Sequence, residues 1–295
     1  MIFVLRRMIR TKIIILFRIF ASVMEGFTEE IRLFLHASGR RFTECCAGDI
    51  TVFDEEERPF SVIAVPIREH TAAEAEERAR RVSVLRGDRP WAIILPEDRW
   101  RRSGAILRDR LSVHLGTFRS VFARDCEVRR AVRPEADAFF DAFHSYGAAS
   151  ARFRYGLFTK KEVSGIPEGS LVAAASFSNA RRITVGNRSV ASHEWIRFAS
   201  LPDVRVTGGM GKVLQTFIRD AGPEDVMSYA DREWSEGEVY RRLGFRPEGL
   251  RAPVLFSVDP VTWERKALRN GDAVPENVLC FMNWGSVKYR LTLLP

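Results

Sequence analysis

"VRVTGGMGKVLQTFIRDAG", Val204 to Gly222, sets three glycines around a methionine, directly before a lysine and a run of helix-forming residues. The β-branched residues ahead of the glycines predict a strand, the glycines a turn, and the rest a helix. Without side chains at Gly208, Gly209 and Gly211, the backbone can take positive φ and a ligand can come close to main-chain N–H groups. Those groups and the positive end of the helix favour phosphate. Close helix packing also selects glycine. Two readings therefore stand side by side: a pyrophosphate cradle to which Lys212 adds charge, or a packing contact.

Working outward, the 295 residues are 46% hydrophobic and 28% charged, an ordinary globular balance with room for about two domains of ~100–200 residues each. A net charge of +8 and a pI near 9.7 favour a polyanionic partner: nucleic acid, an anionic cofactor or a membrane surface. The four cysteines, Cys45, Cys46, Cys126 and Cys280, have no CxxC spacing, and none of the five histidines falls in an HxxxH or HxH pattern. No metal is expected, and a reducing, cytoplasmic compartment is. The opening "MIFVLRRMIRTKIIILFRIFASVM" is apolar and basic. Arg6, Arg7, Arg10, Lys12 and Arg18 interrupt it, so it falls short of the ~20 apolar residues a spanning helix needs. It reads as an interfacial helix, or as a stretch ahead of a true start at Met24 that is not part of the fold.

From Glu25, "EGFTEEIRLFLHASG" has helical spacing, "DITVFD" and "FSVIAVPI" read as a hairpin, "TAAEAEERARRVSVLRG" as a charged helix, "WAIILP" as a buried strand and "GAILRDRLSVHLG" as a helix. The expected order over residues 25–117 is α, β, β, α, β, α. A second unit, 118–295, opens near Phe118. In it "PEADAFFDAFHSYG" is a helix with Pro134 in its first turn, and "RYGLFTKKE", "SLVAAASFSNARRI" and "SHEWIRFASLP" are strands. After the glycine turn come the strand "EDVMSYAD", the helix "SEGEVYRRLGF" with Ser235 as its cap, and strands in "APVLFSVD", "NVLCFMNWG" and "VKYRLTLL".

The strand, glycine turn, helix and strand followed by "EVYRRLGF" resemble the GCN5-related N-acetyltransferase (GNAT) superfamily. That resemblance implies a mixed-sheet α/β fold whose glycine loop binds the pyrophosphate of an acyl-coenzyme A, and it puts Tyr240 in the place of the general acid. Arg205, Gly208, Gly209, Met210, Gly211 and Lys212 are the implied cofactor contacts, although Met210 stands where the consensus has its next glycine. The blocks "FARDCEVRR", "YGLF", "SLVAAASFSNAR", "EWIRFAS", "VTGGMGKVL", "SYADREWSEGEVYRRLGF" and "NWGSVKYRL" look like the GNAT-like domain of phage and mobile-element proteins. They are more distantly similar to the phage Mom enzymes, which modify adenine in DNA. By that likeness Asp231, Tyr240, His144 and Tyr155 line one site. An Asp can accept a proton from an amine and a phenol can deliver one to a leaving group.

Arg152, Arg154, Arg181, Arg182 and Arg197 surround the expected sheet and suit phosphate contacts, with Phe153 and Trp234 as candidate stacking surfaces for a base. A solvated basic face and ordinary core aromatics explain the same residues. Residues 42–116 resemble the restriction-type PD-(D/E)xK fold, with Asp49 in the place of its first metal ligand. The partner strand offers Ala64, Val65 and Pro66 where a carboxylate belongs, and Glu69 arrives only at its end, so this unit is expected to be an inactive, nuclease-like remnant. The expected function is a GNAT-fold transferase that acts on a nucleobase amine or another nucleic-acid-associated amine with an acyl-CoA donor. The alternative is a noncatalytic DNA-binding module, or a homing-endonuclease relative, of a mobile element.

Overall fold

The structure is a computed structural model that describes residues 26–185, 187–269 and 272–293. The opening basic segment lies outside the described residues. Helix α1 (Phe27–Ala37) precedes strands β1 (Phe42–Ala47), β2 (Ile50–Glu55) and β3 (Ser61–Val65). Helix α2 (Ala72–Gly87), β4 (Ala92–Pro96) and α3 (Glu97–His114) complete this half. Its sheet runs β1-β2-β3-β4, antiparallel except for the parallel β3/β4 pair. The expected hairpin is β2/β3. The extra strand, β1, is polar "FTECCA" with an exposed face, which hid it from a search for apolar runs.

Helix α2 begins where expected because Thr71 and Glu74 form a reciprocal capping box. Helix α3 begins seven residues earlier than its apolar spacing indicated: "EDRWRRS" is helical, with a local break at Ser103. Glu97, Asp98, Arg99 and Trp100 are all buried there, so charge pairing rather than apolar periodicity holds this turn.

The second half holds β5 (Arg119–Phe122), β6 (Cys126–Arg130), α4 (Arg133–Phe143), β7 (Phe153–Thr159), β8 (Leu171–Phe177), β9 (Arg181–Val185) and β10 (Arg188–Ser200). Next come β11 (Val204–Thr207), α5 (Gly209–Ala221), β12 (Asp225–Asp231), α6 (Glu238–Arg242) and β13 (Arg246–Arg251). The last strands are β14 (Leu255–Val258), β15 (Arg265–Ala267), β16 (Leu279–Met282) and β17 (Ser286–Thr292). The large sheet runs β13-β17-β12-β10-β8-β7-β6, with β9 paired to β10. Helix α5 covers one face, packing Val213, Leu214 and Phe217 on Tyr155, Ala173, Ala175, Phe177 and Trp195. Helix α4 covers the other, where Phe139 and Phe140 meet Ala174 and Ala199. The fold is mixed α/β, as expected.

Between β13 and β17 the chain leaves this sheet to form β15-β14-β16, a small sheet that lies on the first half. Val258, Phe281 and Trp284 join the core of Ile50, Ile63, Val82 and Ile94, and Trp234 joins the core of Phe60, Trp100 and Leu107. The two halves thus share cores across the expected boundary.

Candidate functional site

Strands β10 and β12 run parallel, but their register covers only Ser192 to Glu194 against Asp225 to Met227. Beyond it, β10 shifts register between Trp195 and Arg197 and pairs with β8, while β12 continues along β17 to Asp231. The strands diverge, and side chains take over from the backbone ladder: Ser228 Oγ lies 2.9 Å from the Trp195 carbonyl and 2.8 Å from Tyr240 Oη. Tyr240 comes from α6 and stacks on Tyr289, with Trp195 and Phe245 at its edges. Burial raises its phenol above the ordinary value against the opposing Ser228 bond, so it stays protonated. Glu194, the last β10 residue in the parallel register, pairs with Met227, so alternation turns it to the face of Asp231, across the strands from Ser228 and Tyr240; it is half-buried and in no salt bridge with any described residue. Sequence reasoning missed it. The signal available was its place in "EWIRFAS", immediately before the bulge.

Asp231 lies three residues beyond Ser228, so strand alternation turns it to the opposite face. There its Oδ2 accepts from the Tyr146 hydroxyl at 2.7 Å and meets Arg99 Nη1 at 3.3 Å, while Oδ1 accepts from the Glu233 N–H at 3.0 Å. Burial alone would raise this carboxyl. Arg99, the Tyr146 bond and the Glu233 amide outweigh it and hold the group below the usual range. The expectation that Asp231 and Tyr240 share one pocket is therefore corrected: they stand on opposite faces, on either side of the diverging strands.

Helix α3 of the first half supplies the cations here. Arg99 binds Glu233 at 3.1 Å as well as Asp231, and its hydrogen bond to Tyr146 closes the set. Burial raises the Glu233 carboxyl, and Arg265, which also holds Asp98, meets it at 3.4 Å. Beside this network is a cavity of about 190 Å³ bounded by α3, the connection after α4 and the end of β10. His144 and Arg110 line it. Burial and the charges of Arg197, Arg110 and Arg99 push the His144 imidazole down to about 3, and its Nδ1 accepts the Tyr146 N–H, so it is neutral with its proton on Nε2. It is a donor here, not a base.

The glycine turn has a left-handed Gly208 (φ 78°) as the N-cap of α5. A Cβ at Gly209 would stand 2.9 Å from the Val206 side chain, so that glycine serves close packing of turn on strand. The N–H groups of the first helical turn have no helical acceptors, and Thr207 and Gly208 are exposed, which leaves these donors open to an anion. Lys212 is otherwise engaged. Its ammonium donates to the carbonyls of Ala123, at 2.8 Å, and Cys126, which tie it to the main chain rather than leaving it free to reach a ligand at the turn. Arg205 is exposed over the Phe118 ring, and Met210 packs against the core beneath α5. The turn fits a phosphate through its backbone but not through its lysine.

Other expected residues fall elsewhere. Tyr155 is fully buried on the α5 face, bonded to Asp220 at 3.2 Å, and Tyr146 rather than Tyr155 meets Asp231. Arg154 is held by Asp137 and the Ala151 carbonyl, and Arg197 by the Gly147 and Ile196 carbonyls. Arg152 and Arg181 are exposed, and Arg182 is exposed near Glu224. Phe153 packs on Phe217 and His193, and Trp234 is buried under Arg110, which removes it as a surface for a base. The cap of α6 is Gly237, not Ser235. Asp49 binds Arg78 through both oxygens, at 3.1 and 2.8 Å, and Glu69 binds the same guanidinium. An arginine thus sits between the two carboxylates considered as metal ligands, and among the described residues no group of three or more His, Cys, Asp or Glu is arranged to hold a metal.

No family model matches this chain, and no curated protein matches it. Among solved structures it is similar to a chain of the NatC complex bound to Gag peptide and CoA, at 13% identity over 58% of this chain and 99% of that one, TM-score 0.34. It is also similar to a GNAT-family acetyltransferase from Bacillus anthracis, at 11% identity over 57% and 95% of the two chains, TM-score 0.31. A spermidine N-acetyltransferase from Vibrio cholerae matches at 9% identity over 57% and 94%, TM-score 0.33.

Proposed function

We propose that the chain is an N-acyltransferase of the GNAT type, taking an acyl-coenzyme A donor and an amine acceptor. The observation that carries this is the divergence of β10 and β12, with a protonated tyrosine on one side of the gap, the Glu194 carboxylate on the other and an open helix N-terminus after the next turn. A bound acyl-CoA supplies an activated thioester. The α5 N-terminus holds its phosphates through main-chain N–H groups. Tyr240 keeps a proton at Oη for the departing sulfur, and Glu194 takes the proton that the attacking amine loses. Asp231, held ionised by Arg99, is too weak a base for that task. It orients Tyr146 toward an acceptor that enters from the α4 face.

Extension to a nucleobase amine draws on the net charge of +8 and on the exposed Arg152 and Arg181. Mass spectrometry of nucleosides from DNA co-expressed with the protein tests it. The donor is tested by calorimetry with acetyl-CoA, and the chemistry by Tyr240→Phe and Glu194→Gln. Each is expected to lower kcat by ~10²-fold while donor affinity holds. Lack of binding to any acyl-CoA, or full turnover by both variants, defeats the proposal.

A further inference from the structure

Arg110, half-buried, differs from the arginines that hold Asp231 and Glu233. Arg99 and Arg265 each meet two carboxylates. Arg110 meets none: among the described residues its guanidinium carbon stands over Trp234, 3.8 Å from the ring centroid, and its hydrogen-bond partner is the Ser145 hydroxyl, 3.4 Å from Nη1. Burial, with Arg99 repelling and Asp231 attracting, pushes it down to about 10, so it remains a cation at neutral pH. A half-buried guanidinium with no carboxylate in contact keeps donors free for an anionic ligand.

The cavity that Arg110 lines has the other parts of an anion site. Ser145 and the neutral His144 bring further donors, while Ile106, Val113, Phe143 and Phe198 give it apolar walls. Asp109 lines it too, in no salt bridge with any described residue, and burial raises its carboxyl. Asp203 also lines it but is held by Arg119 through both oxygens, so the cavity presents one carboxylate-free cation and one unpaired carboxylate to whatever enters.

We propose that this cavity between the two halves binds a small acceptor amine that also carries a carboxylate or phosphate, with Arg110 selecting the anionic group and Asp109 facing the amine. The proposal rests on the amine-transfer reading above and names its substrate class. It makes the first half a working wall of the transferase, since both selecting residues come from α3.

Calorimetry on the full chain tests it with pairs that differ only in the anion: L-leucine against L-leucinamide, and O-phosphoethanolamine against ethanolamine. In at least one pair the member bearing the carboxylate or phosphate should bind ~10-fold tighter or more, and which pair does so separates carboxylate from phosphate. Arg110→Gln should abolish the difference and Arg110→Lys restore part of it, with thermal melting to confirm folding. The wild-type comparison alone is decisive should both variants misfold. Equal binding within both pairs, no binding of any probe, or Arg110-dependent binding only of a short oligonucleotide overturns the proposal. Acetyl-CoA is titrated separately. An acid–amide difference without acyl-CoA binding removes the transferase and leaves the anion site, and acyl-CoA binding without the difference does the reverse.

Discussion

Two clusters of arginine and carboxylate invite comparison. In the first half, Arg78 lies between Asp49 and Glu69 and gives its donors to both. In the second, Arg99 lies between Asp231 and Glu233, but a second guanidinium, Arg110, stands beside it with no carboxylate of its own. In the first cluster every guanidinium and carboxylate is in contact with its opposite. In the other, one guanidinium has no carboxylate in contact and stands next to a cavity. A cluster whose members all pair leaves nothing for a ligand, whereas an unpaired member can be completed from outside.

The largest expected break is Arg99→Met, which strands Asp231 without its cation and leaves the buried Glu233 with Arg265 alone. Urea denaturation should show a loss of ~3–5 kcal/mol, together with lost turnover. Arg78→Met should cost less, ~2 kcal/mol, because Asp49 is 42% exposed and can hydrate. Turnover should survive it. Mg²⁺-dependent nicking of DNA by the wild-type chain, abolished by Asp49→Ala, would contradict the paired-cluster view.

A smaller effect sharpens the contrast through pH. The His144 imidazole lies at about 3 in the fold against an ordinary 6.5. The unfolded chain holds the additional proton between those values, so stability should fall as pH drops through that window, by at most ~1.4 kcal/mol per pH unit from this group. His144→Gln should flatten the slope in denaturation curves taken from pH 7 to pH 4. Thr71→Ala, which removes the α2 capping box just after Glu69, should cost only ~0.5–1 kcal/mol in urea denaturation and leave turnover unchanged.

Local signals were legible in the sequence. The glycine turn, the charged helix α2, the β2/β3 hairpin and the strand ending at Asp231 all follow from patterns within a few residues. What escaped depends on distant partners. "EDRWRRS" has no apolar stripe and is helical because Asp98, Arg99 and Trp100 find Arg265, Glu233 and Glu30 elsewhere in the chain. Tyr155 and Tyr146 were equally plausible neighbours of Asp231 by type. Burial decided between them, sending Tyr155 into the aromatic core of Phe177 and Phe217 and leaving Tyr146 at the strand end. Strand β13, "RPEGLR", is exposed throughout, so it shows no alternation to find.

The excursion of β14–β16 has a mechanical consequence. Because the chain leaves the large sheet after Arg251, seats Phe281 and Trp284 against the other half and returns at Ser286, it stitches the halves together at a second point. Excising residues 26–117 as a soluble fragment would strip apolar cover from Ile50, Ile63 and Val82, so engineering that treats the halves as interchangeable cassettes should yield aggregates. A rocking motion between them would have to stretch that stitch.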